Sequence, residues 1–378
     1  MIRILQFMES LDRGGIETFI MNVLRNMDRS RYRFIFLLLR EKKYEYVQEA
    51  MELGADIEYL LPADYHAPGN PVLRGREYTK YLREWLREHR SGIDIIHIQA
   101  SHLQNMYPYL RVMISEKFEK IILHSHNSTH ESSKIVLIHK LFRMRLGFIK
   151  TKNIACSDLA GKWMFGPHGK YTVLRNGIPL SQFQFDEEER RKVRRKLNIK
   201  DNCLAVCHVG RFHPQKNHTF LLRMFQKLYK MDGNARLFLI GTGSGMEKAK
   251  ALAGKLGIVQ AVSFMEGRDD VSSLLNGMDV FAFPSLYEGL SVVLVEVQAN
   301  RLPVVCSNTI SQETLLNNHI RMLPITPDDA AYRNWAESIL RSAEEGRQNT
   351  EYKQEFYQYD ISNTVSELEA IYEGMVNG

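Results

Sequence analysis

Short apolar runs rich in β-branched and aromatic residues alternate with longer amphipathic stretches from one end of the chain to the other. This alternation is typical of parallel sheets covered by helices, because a crossover between parallel strands needs a helix. Both sheets should therefore be buried on two faces. We predict strands at residues 2–7, 34–39, 93–98, 121–124 and 153–156 in the first half, and at 203–210, 235–240, 261–264, 280–283 and 303–306 in the second.

The length indicates two domains, because 378 residues exceed the roughly 250–300 at which single cores stop growing. Each half opens with a strand, a loop and a helix; Gly14 and Gly15 lie in the first such loop, and residues 211–216 form the second. The predicted fold is α/β, with two facing Rossmann-like domains and a cleft between them, since open α/β sheets bind ligands at the carboxyl ends of their strands. We place these domains at 1–183 and 184–355, with a C-terminal helix at 356–378 that crosses back to the first domain.

A formal net charge of +6 favours an anionic partner, which can be nucleic acid, a phosphoryl-lipid surface or a nucleotide diphosphate. No apolar run approaches the roughly 20 residues that cross a bilayer. The first residues enter a strand pattern without a signal-peptide architecture, so we expect a cytoplasmic protein. The four cysteines are scattered among apolar residues and are expected to be buried thiols, not zinc ligands.

Two cations, Arg211 and Lys216, stand five residues apart in a loop between a strand and a helix. An arginine offers a planar fork to phosphate oxygens and a lysine offers a compact charge. Together they can neutralise a diphosphate without a metal ion. The alternative interpretation is a pair of solvated loop cations.

Two further loops follow strands of the second half. Gly241, Gly243 and Gly245 let a backbone approach a ligand closely, but the G-x-G-x-x-G spacing of a dinucleotide site is absent. The segment 266–271, which includes Arg268, can frame a nucleobase or form an ordinary charged turn.

The segment Glu288-Gly289-Leu290-Ser291-Val292-Val293-Leu294-Val295-Glu296 carries the strongest signal. Glu288 should lie in the turn before a helix, and Glu296 about two turns inside it. The backbone N–H groups of residues 289–292 then lie at a helix N-terminus, where the macrodipole favours an anion. A phosphate can dock there while each carboxylate accepts hydrogen bonds from two vicinal hydroxyls. The alternative interpretation places Glu296 on the surface of an amphipathic helix.

Taken together, these segments resemble those of the retaining glycosyltransferases of family 4, which have the GT-B fold. The resemblance rests on Val209-Gly210-Arg211 with Lys216-Asn217, the strand and glycine segment at Gly241, and the Glu-x7-Glu pair, and it covers nearly the whole chain. Gly14-Gly15-Ile16-Glu17 resembles the glycine loop of the family, and Asn176-Gly177-Ile178 resembles its interdomain signature. The form of the Glu-x7-Glu segment is most similar to enzymes of capsular or exopolysaccharide assembly.

The resemblance implies a role for each motif. It assigns Arg211 and Lys216 to the donor diphosphate, Glu296 to the ribose, Glu288 to the donor sugar and the segment around Arg268 to the base. The other donor-binding positions that it implies are Gly14, Gly15, Gly241, Gly289, Leu290, Ser291 and Val292. It makes the first domain the acceptor side and the second the nucleotide-sugar side, and it implies neither a metal ion nor a cofactor.

A histidine of the first domain is expected to contact the transferred sugar. Leu123-His124-Ser125-His126-Asn127 provides two candidates, and the resemblance favours His126 over His124 and over His97. The implied catalytic set is thus His126, Arg211, Lys216 and Glu288.

The implied reaction moves a hexose or N-acetylhexosamine from a nucleoside-diphosphate sugar, with UDP the expected nucleotide, to a glycan or lipid-linked oligosaccharide in surface polysaccharide biosynthesis. Transfer occurs on the front face with retention, and a leaving phosphate oxygen takes the acceptor proton. The residues themselves leave open the sugar, the acceptor and the choice between uracil and guanine.

Residues 139–150 mix bulky apolar and basic side chains, as an interfacial helix at an anionic membrane surface does. A helix packed on the sheet with snorkelling cations is the alternative. The basic run 190–196 follows an acidic run and is expected to be a solvated helix face, so nucleic-acid binding is not expected.

Two other functions fit the same motifs. A nucleotide-sugar 2-epimerase has the same two-domain architecture and binds the same ligand without an acceptor. A non-enzymatic regulator that binds a nucleotide sugar is the second alternative, although an intact set of phosphate and hydroxyl ligands argues against it.

Overall fold

The computed structural model describes residues 1–12, 14–127, 133–288, 290–348 and 352–378. Contacts divide the chain into two compact units, Met1–Ile178 with Gln358–Gly378, and Pro179–Tyr357. Each unit contains one parallel sheet. Within the described ranges, no helix has the length and apolar character needed to cross a membrane.

The first unit is built on a seven-stranded sheet with the order β3-β2-β1-β4-β5-β6-β7. Its strands are β1 Ile2–Phe7, β2 Tyr32–Arg40, β3 Asp56–Leu61, β4 Ile95–Ala100, β5 Ile121–Ser125, β6 Lys152–Ala155 and β7 Thr172–Val173. The five predicted strands are confirmed to within two residues at each end. The sequence analysis missed β3, because Asp56 and Glu58 interrupt its apolar run on a half-buried edge strand, and the two-residue β7.

Helices cover both faces of this sheet, and two apolar clusters fill the space between. They are α1 Gly15–Asn26, α2 Val47–Glu52, α3 Pro71–Glu88, α4 Leu103–Ser115, α5 Ser133–Leu146 and α6 Asp158–Phe165. One cluster includes Ile4, Phe19 and Phe34, and the other includes Leu5 and Ile96. Alternate residues of β1 thus point into opposite cores, as a sheet buried on two faces requires.

The second unit has a six-stranded sheet with the order β10-β9-β8-β11-β12-β13. The strands are β8 Ala205–Val209, β9 Arg236–Ile240, β10 Val262–Met265, β11 Val280–Phe283, β12 Val304–Ser307 and β13 Ile320–Leu323. The helices are α7 Glu187–Lys196, α8 His218–Met231, α9 Met246–Lys255, α10 Val271–Asn276, α11 Val292–Ala299 and α12 Asp329–Glu345. The sequence analysis missed only β13 among these strands, a half-buried edge strand that carries Arg321.

A last helix, α13 Ile361–Asn377, returns to the first unit. Its residues Ile361, Val365, Leu368 and Tyr372 join the same apolar cluster as β1 and α1. The first unit is therefore completed by the C-terminal end of the chain.

The basic run 190–196 in α7 was expected to be a solvated helix face, and this is wrong for two of its arginines. Arg194 is buried and bonds Asp279 at 3.1 Å and the Cys203 carbonyl at 2.9 Å, and Arg190 bonds Asp279 at 2.6 Å. These two arginines fasten α7 to the sheet, whereas Arg191 on the other face is exposed as expected. The four cysteines are free and buried, as predicted.

Candidate active site

The second unit has a topological switch point between β8 and β11. From β8 the chain runs outward through β9 and β10, then returns to the other side of β8 and runs outward again through β11, β12 and β13. The loops that follow β8 and β11 therefore diverge and leave a crevice at the carboxyl ends of the strands. Arg211 and Lys216 lie in the first loop, and Glu288 lies in the second.

Lys216 and Glu288 form an ion pair across this switch point. The distance from Nζ to Oε1 is 2.7 Å, and the two side chains are only 16% and 8% exposed. Lys216 Nζ also lies 4.8 Å from the centroid of the Phe283 ring, a cation–π contact that replaces part of its lost hydration. Among the described residues neither side chain has another polar partner, and a buried ion pair of this kind gains little net stability, which makes the pair a candidate ligand site.

Hydrogen bonds hold the two loops in register. The Leu286 amide donates to the Gln215 carbonyl at 2.8 Å, and the Gln215 side-chain amide donates to the Tyr287 carbonyl at 2.9 Å. Both bonds involve residues within two positions of Lys216 or Glu288. The ion pair is therefore fixed by backbone geometry and not only by its own charges.

Arg211 differs from Lys216 in its surroundings. Its side chain is exposed, and among the described residues no acid pairs with its guanidinium. The loop around it is fixed, because the Phe212 amide donates to the Thr242 carbonyl at 2.7 Å and Asn217 adopts a left-handed φ of 55° that ends the turn. Arg211 thus presents an exposed cation in the loop that follows β8.

The glycines after β9 support this loop. A Cβ on Gly241 would lie 2.2 Å from the Gly210 carbonyl oxygen, and one on Gly243 would lie 2.8 Å from the backbone of Phe212. Both residues also have positive φ, at 147° and 141°. The close backbone approach that the sequence predicted at Gly241 is therefore an approach to the neighbouring loop.

Helix α11 begins at Val292 with Ser291 as its N-cap. Leu290, Ser291 and Val292 lie at its N-terminus as predicted, where the first amides of a helix lack intrahelical acceptors; Gly289 lies outside the described residues. Glu296 is the fifth residue of the helix, so it lies a little over one turn from the helix start and not the expected two turns.

The Glu296 carboxyl is partly buried and has no partner among the described residues. Desolvation raises the pKa of this carboxyl from its ordinary 4.5 to about 7. An acid with a perturbed pKa and no partner among the described residues is typical of a ligand-binding group.

Arg268 follows β10 and already has a partner. Its Nε donates to Asp270 Oδ1 at 2.7 Å, and Asp270 also lies 3.6 Å from Lys196. A ligand that uses this guanidinium would have to share it with Asp270.

Sequence reasoning missed two buried polar side chains in the same unit. His208 bonds the Ala282 carbonyl through Nδ1 at 2.9 Å, and its Nε2 has no partner in the described part of the chain, as is also true of Ser285 Oγ. Burial lowers the pKa of His208 well below its usual value, so its ring is neutral. The only available signal was a histidine inside the apolar run of β8.

In the first unit the predicted residues follow the carboxyl ends of strands of its own sheet, Gly14 and Gly15 after β1 and His126 after β5. Gly14 is the N-cap of α1, and a Cβ there would meet the Glu17 carboxylate at 2.3 Å, whereas Gly15 has open space. His126 follows β5 and is buried. Phe19 of α1 packs against the His126 ring at 5.6 Å, so the glycine loop and His126 belong to one packed region.

His126 is neutral in this setting. Its Nε2 lies 2.7 Å from Gln99 Oε1, and desolvation lowers the pKa of the ring to about 3. His97 and His124, the other two candidates, lie beneath it and bond each other at 3.2 Å. Among the described residues no group of three or more His, Cys, Asp or Glu side chains is arranged to hold a metal ion.

Known proteins resemble the chain at the level of both sequence and fold. The family of glycosyl transferases group 1 matches residues 189–356. A putative glycosyltransferase EpsF from Bacillus subtilis is 28% identical over 98% of this chain and 96% of its own length. The capsular polysaccharide biosynthesis glycosyltransferase CapH from Staphylococcus aureus is 23% identical over 98% of this chain and 99% of its own.

One relative with a named substrate matches half of the chain. The UDP-Gal:alpha-D-GlcNAc-diphosphoundecaprenol alpha-1,3-galactosyltransferase of Escherichia coli is 24% identical over 51% of this chain and 52% of its own length. Among solved structures, Anabaena Alr3699/HepE in complex with UDP and glucose aligns with a TM-score of 0.74 at 15% identity, over 99% of this chain and all of the other.

The likeness to solved structures shows the fold, two Rossmann-like α/β domains of the GT-B type. The matched segment begins in α7 and spans the loops that carry Arg211, Lys216, Glu288 and Glu296. The chain therefore carries a glycosyl transferases group 1 domain at residues 189–356, within a GT-B fold.

Proposed function

We propose that the chain transfers a hexose or N-acetylhexosamine, with retention, from a UDP-sugar to a glycan or lipid-linked acceptor of surface polysaccharide synthesis. The observation that carries this proposal is the Lys216–Glu288 ion pair at the switch point, beside the N-terminus of α11. A permanent cation, a carboxylate and free helix amides are the ligands that a diphosphate and a sugar need together.

The diphosphate binds Arg211, Lys216 and the amides at Leu290–Val292. When the bond between the anomeric carbon and the phosphate oxygen breaks, negative charge develops on the leaving group. Preorganised cations and dipoles stabilise that charge most in a site that excludes water. Lys216 then exchanges Glu288 for a phosphate oxygen, which frees the Glu288 carboxylate for the donor sugar.

Glu296 binds the ribose and Glu288 binds hydroxyls of the transferred sugar. A carboxylate can accept hydrogen bonds from two vicinal hydroxyls, and the lack of a Glu296 partner among the described residues supports its assignment. The segment around Arg268 lies along the base, and Gly14, Gly15 and Gly241 shape the loops near the donor.

The transfer step is a front-face displacement. The anomeric carbon loses its bond to the phosphate oxygen and gains one to the acceptor oxygen on the same face, and the acceptor proton passes to the leaving phosphate. His126, neutral and with a free Nδ1 lone pair, accepts a hydrogen bond from a hydroxyl of the transferred sugar. Arg211 and Lys216 supply the charge, so we propose that no metal ion and no cofactor are needed.

The comparisons support the substrate class. HepE was solved with UDP and glucose, CapH is named for capsular polysaccharide, and the Escherichia coli relative is named for a diphosphoundecaprenol acceptor. These names describe those proteins, and they make a UDP-sugar and a lipid-linked acceptor the first substrates to test here.

We also propose that α5 brings the first unit to an anionic membrane surface. One face of the helix packs inward through His139 and Arg143, whose nitrogen atoms lie 3.1 and 3.4 Å from the Trp163 carbonyl oxygen. The other face exposes a stripe of apolar side chains, which are Leu137, Ile138, Leu141 and Met144, with Phe148 just beyond the helix at 92% exposure. The inward face fits the interpretation of a helix packed on the sheet, and the exposed stripe supports the proposal of an interfacial helix.

Basic residues flank that stripe. Lys140, Arg145 and Lys150 are exposed, so apolar insertion and attraction to anionic headgroups act on one surface. Cosedimentation with phosphatidylglycerol vesicles should fall at least about tenfold in Met144→Gln/Phe148→Ser, because each apolar side chain contributes on the order of 1 kcal/mol. Val259→Gln, an exposed apolar residue of the second unit, is the matched control and should bind normally.

Two assays test the transferase proposal. A thermal-shift screen of UDP- and GDP-sugars should show stabilisation by UDP-sugars that is lost in Arg211→Ala and kept in Arg223→Ala, which removes an exposed arginine on α8. The best donor, incubated with a lipid-linked acceptor in the presence of EDTA, should give an α-linked product. A β-linked product would exclude retention, and an epimerised sugar from donor alone would favour the 2-epimerase.

A further inference from the structure

A continuous chain of buried polar side chains connects α13 to His126 in the first unit. Tyr372 Oη lies 3.3 Å from Gln6 Nε2, Gln6 Oε1 lies 2.9 Å from Gln99 Nε2, and Gln99 Oε1 lies 2.7 Å from His126 Nε2. Tyr372 Oη also lies 2.8 Å from His97 Nδ1, and His97 Nε2 lies 3.2 Å from His124 Nδ1. Residues from β1, β4, the end of β5 and α13 thus share one hydrogen-bond path.

The path fixes a direction. The Gln99 amide nitrogen donates to Gln6, so its oxygen must accept, and His126 Nε2 must carry the proton. The Gln6 nitrogen donates to Tyr372, which leaves the proton of the Tyr372 hydroxyl available, and in the proposed direction this hydroxyl donates onward to His97 Nδ1. His97 Nε2–H then donates to His124 Nδ1, which leaves the His124 proton on Nε2.

Both ends of the path are open. In the part of the chain that the structure describes, neither His126 Nδ1 nor His124 Nε2 has a hydrogen-bond partner, although both atoms are buried. The two rings lie 4.1 Å apart, and Phe19 packs against both. His126 Nδ1 is therefore a preformed acceptor, and its strength as an acceptor depends on the proton that the path holds on Nε2.

We propose that Tyr372 is a positioning residue that fixes His126 as the Nε2–H tautomer and so presents Nδ1 as an acceptor for a substrate hydroxyl. The use of that acceptor rests on the proposed transferase function; the tautomer does not. The C-terminal helix thereby contributes to the site through its hydroxyl as well as through its packing. All three histidines are neutral along this path, because burial lowers the pKa of each.

Nitrogen-15 NMR of the histidine side chains in the full chain tests the assignment. In the wild type His126 and His97 should both show a protonated Nε2 and an unprotonated Nδ1. Tyr372→Phe keeps the ring and removes the hydroxyl, so Gln6 loses its acceptor and the direction of the path; His126 should then become a mixture of tautomers. Tyr32→Phe is the matched control, because Tyr32 bonds Glu373 of the same helix at 2.7 Å and lies outside the path.

Kinetics then separates this proposal from the transferase proposal. With the donor and acceptor that the two transferase assays identify, kcat should fall about tenfold in Tyr372→Phe, the effect of about 1.4 kcal/mol on one hydrogen bond, while Tyr32→Phe stays near wild type. A single unchanged tautomer of His126 in Tyr372→Phe, or a protonated Nδ1 in the wild type, overturns the positioning role. A changed tautomer with unchanged kcat keeps the path and removes His126 from the transfer step.

If Tyr372→Phe does not fold, Gln99→Leu removes the direct partner of His126 and gives the same test. The tautomer should then become mixed at His126 and stay fixed at His97, whose partner Tyr372 is still present. A fixed His126 tautomer in this variant likewise overturns the proposal.

Discussion

The two units use the same sheet geometry for opposite kinds of polar burial. In the first unit the buried groups around His126 are neutral, and they bond one another through Gln6, Gln99 and Tyr372. In the second unit the candidate site adds charge: a buried Lys216–Glu288 ion pair and the partly buried Glu296, which has no partner among the described residues, although His208 in the same sheet is neutral. A neutral network holds atoms in place at low desolvation cost, whereas buried charges are costly unless a ligand meets them.

This difference predicts which unit a charged substrate should stabilise more. On the proposed function, the second unit gains most from a diphosphate and sugar hydroxyls, because they supply a partner for Glu296 and replace Glu288 beside Lys216. The first unit gains from a single well-aligned hydroxyl. Four predictions test the comparison, from the largest effect to the smallest.

Acid should weaken the first unit more than the second. The pKa of His97 and of His126 is lowered to about 3, and that of His124 lies well below its usual value. A histidine whose folded-state pKa is lowered stabilises the fold above the unfolded value of 6.5, and this stability is lost as pH falls. For three such histidines the free energy of unfolding decreases by up to about 4 kcal/mol per pH unit. In the second unit His208 and His218 act in the same direction, but Glu296 opposes them, which leaves about 1.4 kcal/mol per pH unit.

Hydrogen exchange at pH 6 and 5, corrected for intrinsic rates, measures this in the full chain. Peptides from β1, β4 and β5 should lose protection more steeply than peptides from β8 and β11. Equal loss in the two sheets would contradict the distinction between a neutral and a charged interior.

Lys216→Met should cost both stability and turnover. It leaves Glu288 buried without its cation, which should destabilise by about 3–5 kcal/mol. If Lys216 binds the leaving group as proposed, the loss of this cation should also lower kcat about 100- to 1,000-fold. The double variant Lys216→Met/Glu288→Gln should recover the stability and not the activity. Lys227→Met removes a pair with the exposed Asp329 and should change unfolding by less than about 1 kcal/mol.

Glu296→Gln should stabilise the free protein while it weakens donor binding. Because the pKa of Glu296 is raised, the contribution of this side chain to stability is greatest below the unfolded value of 4.5 and is lost as pH rises through about 7. A shift of about 2.5 units corresponds to up to about 3 kcal/mol, so the variant should resist urea better at pH 8 and match wild type near pH 4.5. Glu337→Gln, at an exposed position of α12, should change neither property.

The sequence predicts the parts of this molecule that are local or periodic. Apolar runs separated by helical stretches predict most strands of both sheets, and the Glu-x7-Glu segment and the Arg211–Lys216 loop could be placed because their residues lie close together in the chain. Edge strands such as β3 and β13 were not predicted, because charged residues interrupt their half-buried pattern.

Long-range polar contacts could not be predicted from the sequence for a different reason. Gln6, Gln99 and Tyr372 look like isolated polar residues in apolar segments, and only the parallel register that sets β1 beside β4, together with the return of α13, brings them together. The role of Gly241 was also hidden, since a glycine needed by a ligand and one needed by a neighbouring loop look alike in a sequence.

The smallest effect concerns the neutral path itself. Tyr372 and Gln99 do not bond each other, yet both bond Gln6. If the path acts as a unit, Tyr372→Phe and Gln99→Leu should be non-additive in urea unfolding by about 0.5–1 kcal/mol, because the second break meets a path already broken. The control cycle pairs Tyr372→Phe with Thr79→Ala on α3, a residue that bonds only its own helix, and should be additive within about 0.3 kcal/mol. Additivity in both cycles would make the path a set of independent hydrogen bonds, and the contrast between a cooperative neutral interior and a ligand-dependent charged one would then rest on the second unit alone.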